Sequence, residues 1–133
     1  MSEQLDEWRG DFGVARTDRN VLDWRTRVDA FRRILDGREI RSALEIGCNR
    51  GDNLAALHDI MGPGSHVAGA EPQDYARSIA ARISPEISVI AGTIYDVPAE
   101  DRGRVFPELN LVGTGDLTVA EGFDQARWWL LER

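Results

Sequence analysis

The stretch Ala43-Leu44-Glu45-Ile46-Gly47-Cys48-Asn49-Arg50-Gly51-Asp52-Asn53-Leu54 constrains the fold more than any other part of the chain. A short apolar run breaks into a turn with a glycine at each end. Apolar residues then return at helical spacing as Leu54, Leu57 and Ile60. Strand, tight turn and helix in that order bring backbone amides close to a ligand.

The flanking sequence continues the same alternation. Trp24, Val28, Phe31 and Leu35 fall on one face of an amphipathic helix, with Asn20 or Asp18 as the expected cap at its start and Gly37 at its end. Arg41 to Ile46 reads as the first strand. Asp52 to Met61 reads as a helix stopped by Gly62-Pro63-Gly64. Val67 to Glu71 is the second strand, and Asp74 to Ile83 a helix with Tyr75, Ile79 and Ile83 as its apolar face. Ile87 to Ile90 is the third strand. Strands alternating with helices predict an α/β fold with a parallel sheet. Residues 1–20 predict a short helix or a loop arm. After residue 91 a loop is expected, holding Gly92, Pro98, Gly103 and Pro107. Leu109 to Thr114 and Gln125 to Glu132 then read as strands with no helix between them, an antiparallel hairpin.

A chain of 133 residues predicts one domain. Its expected parts are an N-terminal arm and helix (1–38), a βαβαβ half (39–101) and a C-terminal hairpin (102–133). The net charge of −7 disfavours nucleic acid as a partner. All 16 basic residues are arginines, so Schiff-base chemistry on lysine is excluded. No apolar run approaches the roughly 20 residues of a membrane span. The start, Met1-Ser2-Glu3-Gln4, is too polar for a signal peptide, so a cytoplasmic protein is expected. The one cysteine, Cys48, excludes an internal disulfide. His58 and His66 are expected to be structural or solvent-exposed, and no metal site is expected.

A dinucleotide fingerprint would read G-x-G-x-x-G. Gly47 and Gly51 fit it, but Asn49 stands where the second glycine belongs. The pattern Glu45-x-Gly47-x-x-x-Gly51 instead resembles the first motif of class I S-adenosylmethionine-dependent methyltransferases. In that superfamily the turn packs against the amino-acid part of the cofactor. The resemblance implies a shortened Rossmann-like fold that binds S-adenosylmethionine and releases S-adenosylhomocysteine (SAH). Around the turn it implicates Glu45, Gly47, Cys48, Asn49, Gly51 and Asn53. Glu71 lies 24 positions after Gly47, at the end of the second strand and before Pro72. A carboxylate there can accept hydrogen bonds from both ribose hydroxyls. The segment Ala91 to Pro98 would run along the adenine, with Thr93 and Ile94 lining it and Tyr95 or Asp96 nearby.

More narrowly, the chain is similar to methylases associated with pseudaminic-acid (nonulosonic sugar) biosynthesis. The likeness is carried by Trp8 to Gly13, Thr17 to Asn20, Asp23 to Leu35, the glycine turn, Phe106 to Leu117 and Gly122 to Arg133. That group has an aromatic–Gly–Tyr-x-x-Arg-Asn arm. Here Arg19 and Asn20 match it, and Arg16 occupies the tyrosine position. The resemblance implies that Arg19 pairs with the cofactor carboxylate. It covers nearly the whole chain but omits strands 4 and 5 of the full fold and their helices.

The implied activity is methyl transfer to a small, possibly sugar-like acceptor. The alternatives are an inactive cofactor-binding protein and an interaction module derived from a methyltransferase. No catalytic base is assigned; Asp11, Asp18 and Asp23 are candidates. The missing middle would leave an apolar face exposed, so a homodimer is expected. Trp128 and Trp129 are adjacent and so face opposite sides of a strand. One of them is expected at the dimer interface.

Overall fold

In the computed structural model of the protein, residues 3–19, 21, 23–96, 111–114 and 127–130 are described, with Ile94, Val112, Thr114 and 127–130 described as backbone only. The arm forms two helices, α1 (Glu3–Arg9) and α2 (Asp11–Arg19). A 3-10 turn, Trp24–Arg27, runs into α3 (Val28–Leu35). There follow β1 (Ser42–Ile46), α4 (Asp52–Met61), β2 (His66–Glu71), α5 (Asp74–Ala80) and β3 (Ile87–Ala91). A 3-10 turn at Ile94–Asp96 precedes β4 (Leu111–Thr114) and β5 (Arg127–Leu130).

The sheet has five strands in the order β3-β2-β1-β4-β5. β1 is central. It pairs in parallel with β2, Ala43 opposite Val67, and with β4, Ala43 opposite Leu111. β2 and β3 are also parallel, and β5 runs antiparallel to β4. The chain is therefore α/β with a Rossmann-like sheet. β4 and β5 make the expected antiparallel pair; the residues joining them, 115–126, lie outside the described residues. Trp128 is opposite Gly113 and Trp129 opposite Val112, and both side chains lie outside the described residues.

β1 is buried on both faces, as a central parallel strand should be. Phe31 and Leu35 of α3 close over Ala43 of β1 and Leu111 of β4, together with Ala56 and Leu57 of α4. A second cluster joins Cys48 and Leu54 to Val67 and Ile87.

Three local expectations are corrected. The side-chain cap is Asp23, which starts the 3-10 turn leading into α3 by accepting from the Arg25 N–H at 3.1 Å; α3 itself begins after Arg27 with no side-chain cap. Asp18 lies inside α2, and Asn20 is outside the described residues. The inner face of α5 is Ala76 and Ala80, while Tyr75 and Ile83 are exposed. Small residues win there because α5 presses on the glycine turn. The same helix stops at Ala80 rather than Ile83. Arg82 and Ile83 bond back three residues, to Ile79 and Ala80, in a tighter turn ahead of Pro85.

Candidate functional site

β1 ends at Ile46 and the chain reverses through left-handed backbone at Gly47 (φ 73°), Asn49 (φ 48°) and Gly51 (φ 82°). Asparagine is among the few side chains that tolerate that region. The N–H groups of Gly47 and Cys48 both donate to the Ala70 carbonyl, at 2.8 and 3.1 Å, which straps the turn to β2. The two glycines have different surroundings. A Cβ on Gly51 would lie 2.8 Å from Ile83 Cδ1 and 3.0 Å from Ala80 Cβ. A Cβ on Gly47 would meet nothing within 4 Å. Gly51 lets the turn seat against α5; Gly47 borders open space. The Cys48 side chain packs inward over Gly69, and its carbonyl accepts from the Gly51 N–H at 2.9 Å. Burial first, then the charges of Glu45 and Glu71, push its thiol well above the usual range.

Two buried acids flank the turn. Glu71 accepts from the Asn49 N–H with one oxygen and from the Gln73 N–H with the other, each at 2.9 Å. Burial pushes its pKa up, against the pull of those two N–H groups and of Arg77. Glu45 accepts from Asn53 Nδ2 at 2.6 Å, and Asn53 Oδ1 accepts from Arg27 Nη1 at 2.9 Å. Asn49 Oδ1 is buried and has no hydrogen-bond partner among the described residues.

The segment after β3 joins the same end of the sheet. Gly92 donates to the Glu71 carbonyl at 3.1 Å. Asp96 accepts from the Thr93 N–H at 2.6 Å and the Thr93 hydroxyl at 3.0 Å, which holds its carboxyl below the usual range. Tyr95 points into solvent, and the Ile94 side chain lies outside the described residues. A cleft of about 320 Å³ opens here, lined by Pro72, Asp74, Arg77, Ala91, Gly92 and Asp96, with Arg9 from the arm. A cleft of about 440 Å³ at the opposite, amino-terminal edge of β1 and β2 shares none of these residues.

Sequence reasoning missed Gln73, which ties the arm to this end of the sheet. Its Oε1 caps α5 by accepting from the Ala76 N–H at 3.2 Å and also accepts from the Thr17 hydroxyl at 3.2 Å. Its Nε2 donates to the Trp8 carbonyl at 2.7 Å. A Cβ on Gly13 would overlap both the Trp8 carbonyl and the Gln73 amide, so only glycine lets α2 approach. Tyr75 donates to Asp18 at 2.6 Å, and Arg50 reaches the Thr17 carbonyl at 3.5 Å. The glycine inside an arm with two aromatics was the available signal; nothing in the sequence pointed to a partner 56 residues away.

Arg19 is exposed at the end of α2, and Asn20 lies outside the described residues. Of the three aspartates considered as bases, Asp18 is held by Tyr75, Asp23 caps the 3-10 turn, and Asp11 is exposed. His58 bonds Glu86 at 2.7 Å, and His66 is exposed at the start of β2. Among the described residues no group of three or more His, Cys, Asp or Glu could hold a metal ion. No described helix is long and apolar enough to cross a membrane.

No protein-family model matches the sequence, and no curated protein matches it. Solved structures do match the fold. The plantazolicin methyltransferase BpumL, in complex with a monoazolic desmethylPZN analog and SAH, superposes with a TM-score of 0.55 at 15% identity over 86% of this chain. The same enzyme with SAH alone gives 0.52 at 16%. A Staphylococcus aureus protein assigned as a caffeoyl-CoA O-methyltransferase gives 0.51 at 17%, covering 92% of this chain and 70% of its own. The chain spans 57% of the BpumL chain. At these identities the likeness is one of fold, and that fold is the Rossmann-like one of methyltransferases.

Proposed function

We propose that the chain binds S-adenosylmethionine across the carboxyl ends of β1, β2 and β3 and is a methyltransferase for a small-molecule acceptor. The observation that carries this is Glu71. One of its oxygens holds the glycine turn and the other the start of α5, so the acid of the second motif is built into the first. The residues fit the cofactor. Gly47 borders space that a side chain would fill, and among the described residues Asn49 Oδ1 is a buried acceptor without a donor.

In this reading Gly47, Cys48 and Asn49, with Glu45, Asn53 and Gly51 behind them, face the amino-acid part. Glu71 and Pro72 take the ribose, Thr93 and Ile94 the adenine, and Arg19 with Asn20 the carboxylate. The bound cofactor supplies an electrophilic methyl group on a sulfonium. The chain's part is to orient it and keep water out, which is where proximity catalysis gains most of its rate. No residue is assigned as a base, and none is needed for an acceptor that is already nucleophilic.

A sugar-like acceptor rests on the sequence resemblance alone. So do a cytoplasmic location and the absence of a nucleic-acid partner rest on sequence. We also read residues 1–133 as a single domain that forms a homodimer, with Trp128 or Trp129 at the interface. A second reading is cofactor binding without turnover.

Calorimetry with SAH tests the binding, and no heat at millimolar ligand would reject it. Release of SAH from S-adenosylmethionine in the presence of small hydroxyl and amine acceptors separates enzyme from inactive binder.

A further inference from the structure

Arg27 is a cation in the core. It is 4% exposed, at the junction of the 3-10 turn and α3. Among the described residues its hydrogen bond is to Asn53 Oδ1, and its Nε is buried with no acceptor. One neutral acceptor does not compensate a buried guanidinium. The acid reached through Asn53 is Glu45, itself 2% exposed. The direction of the relay is fixed by its ends. A guanidinium offers only donors, so Asn53 Oδ1 must face Arg27; Asn53 Nδ2 then faces a carboxylate oxygen of Glu45. Three side chains from three elements thus form one polar line, ending two residues before Gly47.

We propose that Arg27 is a positioning residue of the cofactor site, acting through Asn53 to hold the Glu45 carboxylate in one orientation. This rests on the S-adenosylmethionine reading and deepens it. A carboxyl group held in place beside the turn serves the positive, N–H-bearing end of the ligand. A hydrophobic residue would pack this junction without burying a charge. The cation is explained by what it does to Glu45.

The test is a double-mutant cycle in the full chain, with SAH as the probe and both calorimetric affinity and melting temperature as readouts. Arg27→Met should weaken SAH binding about tenfold, the size of one charge-assisted contact. In the Glu45→Gln background the same substitution should change affinity by less than about twofold, because Arg27 acts only through that acid. The double variant should melt above Arg27→Met, since the acid that the cation served is then neutral as well. A purely structural role predicts equal penalties in both backgrounds, and that result would overturn the proposal. So would native affinity in a folded Arg27→Met protein. Should Arg27→Met not fold, Arg27→Gln, which keeps a donor for Asn53 without the charge, enters the same cycle. Absence of SAH binding by the unmodified chain would reject the cofactor reading itself and the relay with it. A flat cycle on a chain that binds rejects only the relay.

Discussion

Gly47 and Gly51 share a left-handed backbone but should fail in different ways when replaced. Alanine in that region costs about 1–2 kcal/mol. Part of this is offset by a stiffer unfolded chain, about 0.4–1 kcal/mol. The net cost at Gly47 is about 1 kcal/mol, because a Cβ there touches nothing within 4 Å. At Gly51 the Cβ also meets Ala80 Cβ at 3.0 Å and its Cα at 3.3 Å, atoms that move only with the helix. Overpacking of that kind adds about 1–3 kcal/mol. Gly51→Ala should therefore lose about 2–4 kcal/mol of stability, roughly 8–16 °C in Tm for a chain of this size. Gly47→Ala should lose about 4 °C yet bind SAH at least about tenfold more weakly, since its methyl group enters the space assigned to the ligand. Circular-dichroism melts and calorimetry read the two effects separately. Equal stability losses would refute the packing distinction. Native affinity in folded Gly47→Ala would show that the turn does not cradle the ligand.

Glu71→Ala should weaken SAH binding by about 1–3 kcal/mol, read by calorimetry, through loss of a charged acceptor for ribose hydroxyls. Burial raises the Glu71 pKa above its ordinary 4.5, and the ionised form is the one that accepts. Affinity should therefore fall on acidification, starting at a higher pH than for an ordinary glutamate. The contribution of Glu71 to folding has its own sign: it is full below pH 4.5 and lost as pH rises through the raised value. A pH series on Glu71→Gln should remove both dependences. Gln73→Ala should free the Trp8 carbonyl and the Thr17 hydroxyl and speed amide exchange across residues 3–19; unchanged exchange would mean the arm is held by other contacts. Light scattering after size exclusion should give a dimer mass, and a mass near 14.9 kDa would reject the homodimer.

Helix α4 was legible to the residue, because Asp52 follows a glycine turn and Gly62 ends the apolar spacing. β1, β2 and β3 were legible to within a residue at each end. Each is a short apolar run between glycine or proline signals, where local pattern and tertiary burial agree. The arm was only partly legible: a short helix was one of its two readings, and two form. Two glycines and scattered charges argue against helix locally, and what organises α2 is the Gln73 amide, far off in sequence. The α5 face was misread for a related reason. Hydrophobicity picked Tyr75 and Ile83, while close approach to Gly51 selected alanines. At the site, the turn and Glu71 stood out by spacing. Arg27 did not, because an arginine in an amphipathic helix pattern looks like surface until its partner Asn53 is known.

The pairing of β1 with β4 also sets an order of events. β1 and β2 are neighbours in sequence and can pair early, but Ala43 must wait for Leu111. Contacts that distant form late, because the loop must close before they contribute. Until then the other edge of the central strand is bare, and the pocket around Phe31, Ala43 and Leu57 lacks the fully buried Leu111. A growing or refolding chain thus passes through a stage with an apolar strand edge open to any other chain. The hazard lies in assembly rather than in the finished molecule, and substitutions at Leu111 should appear first as aggregation during expression.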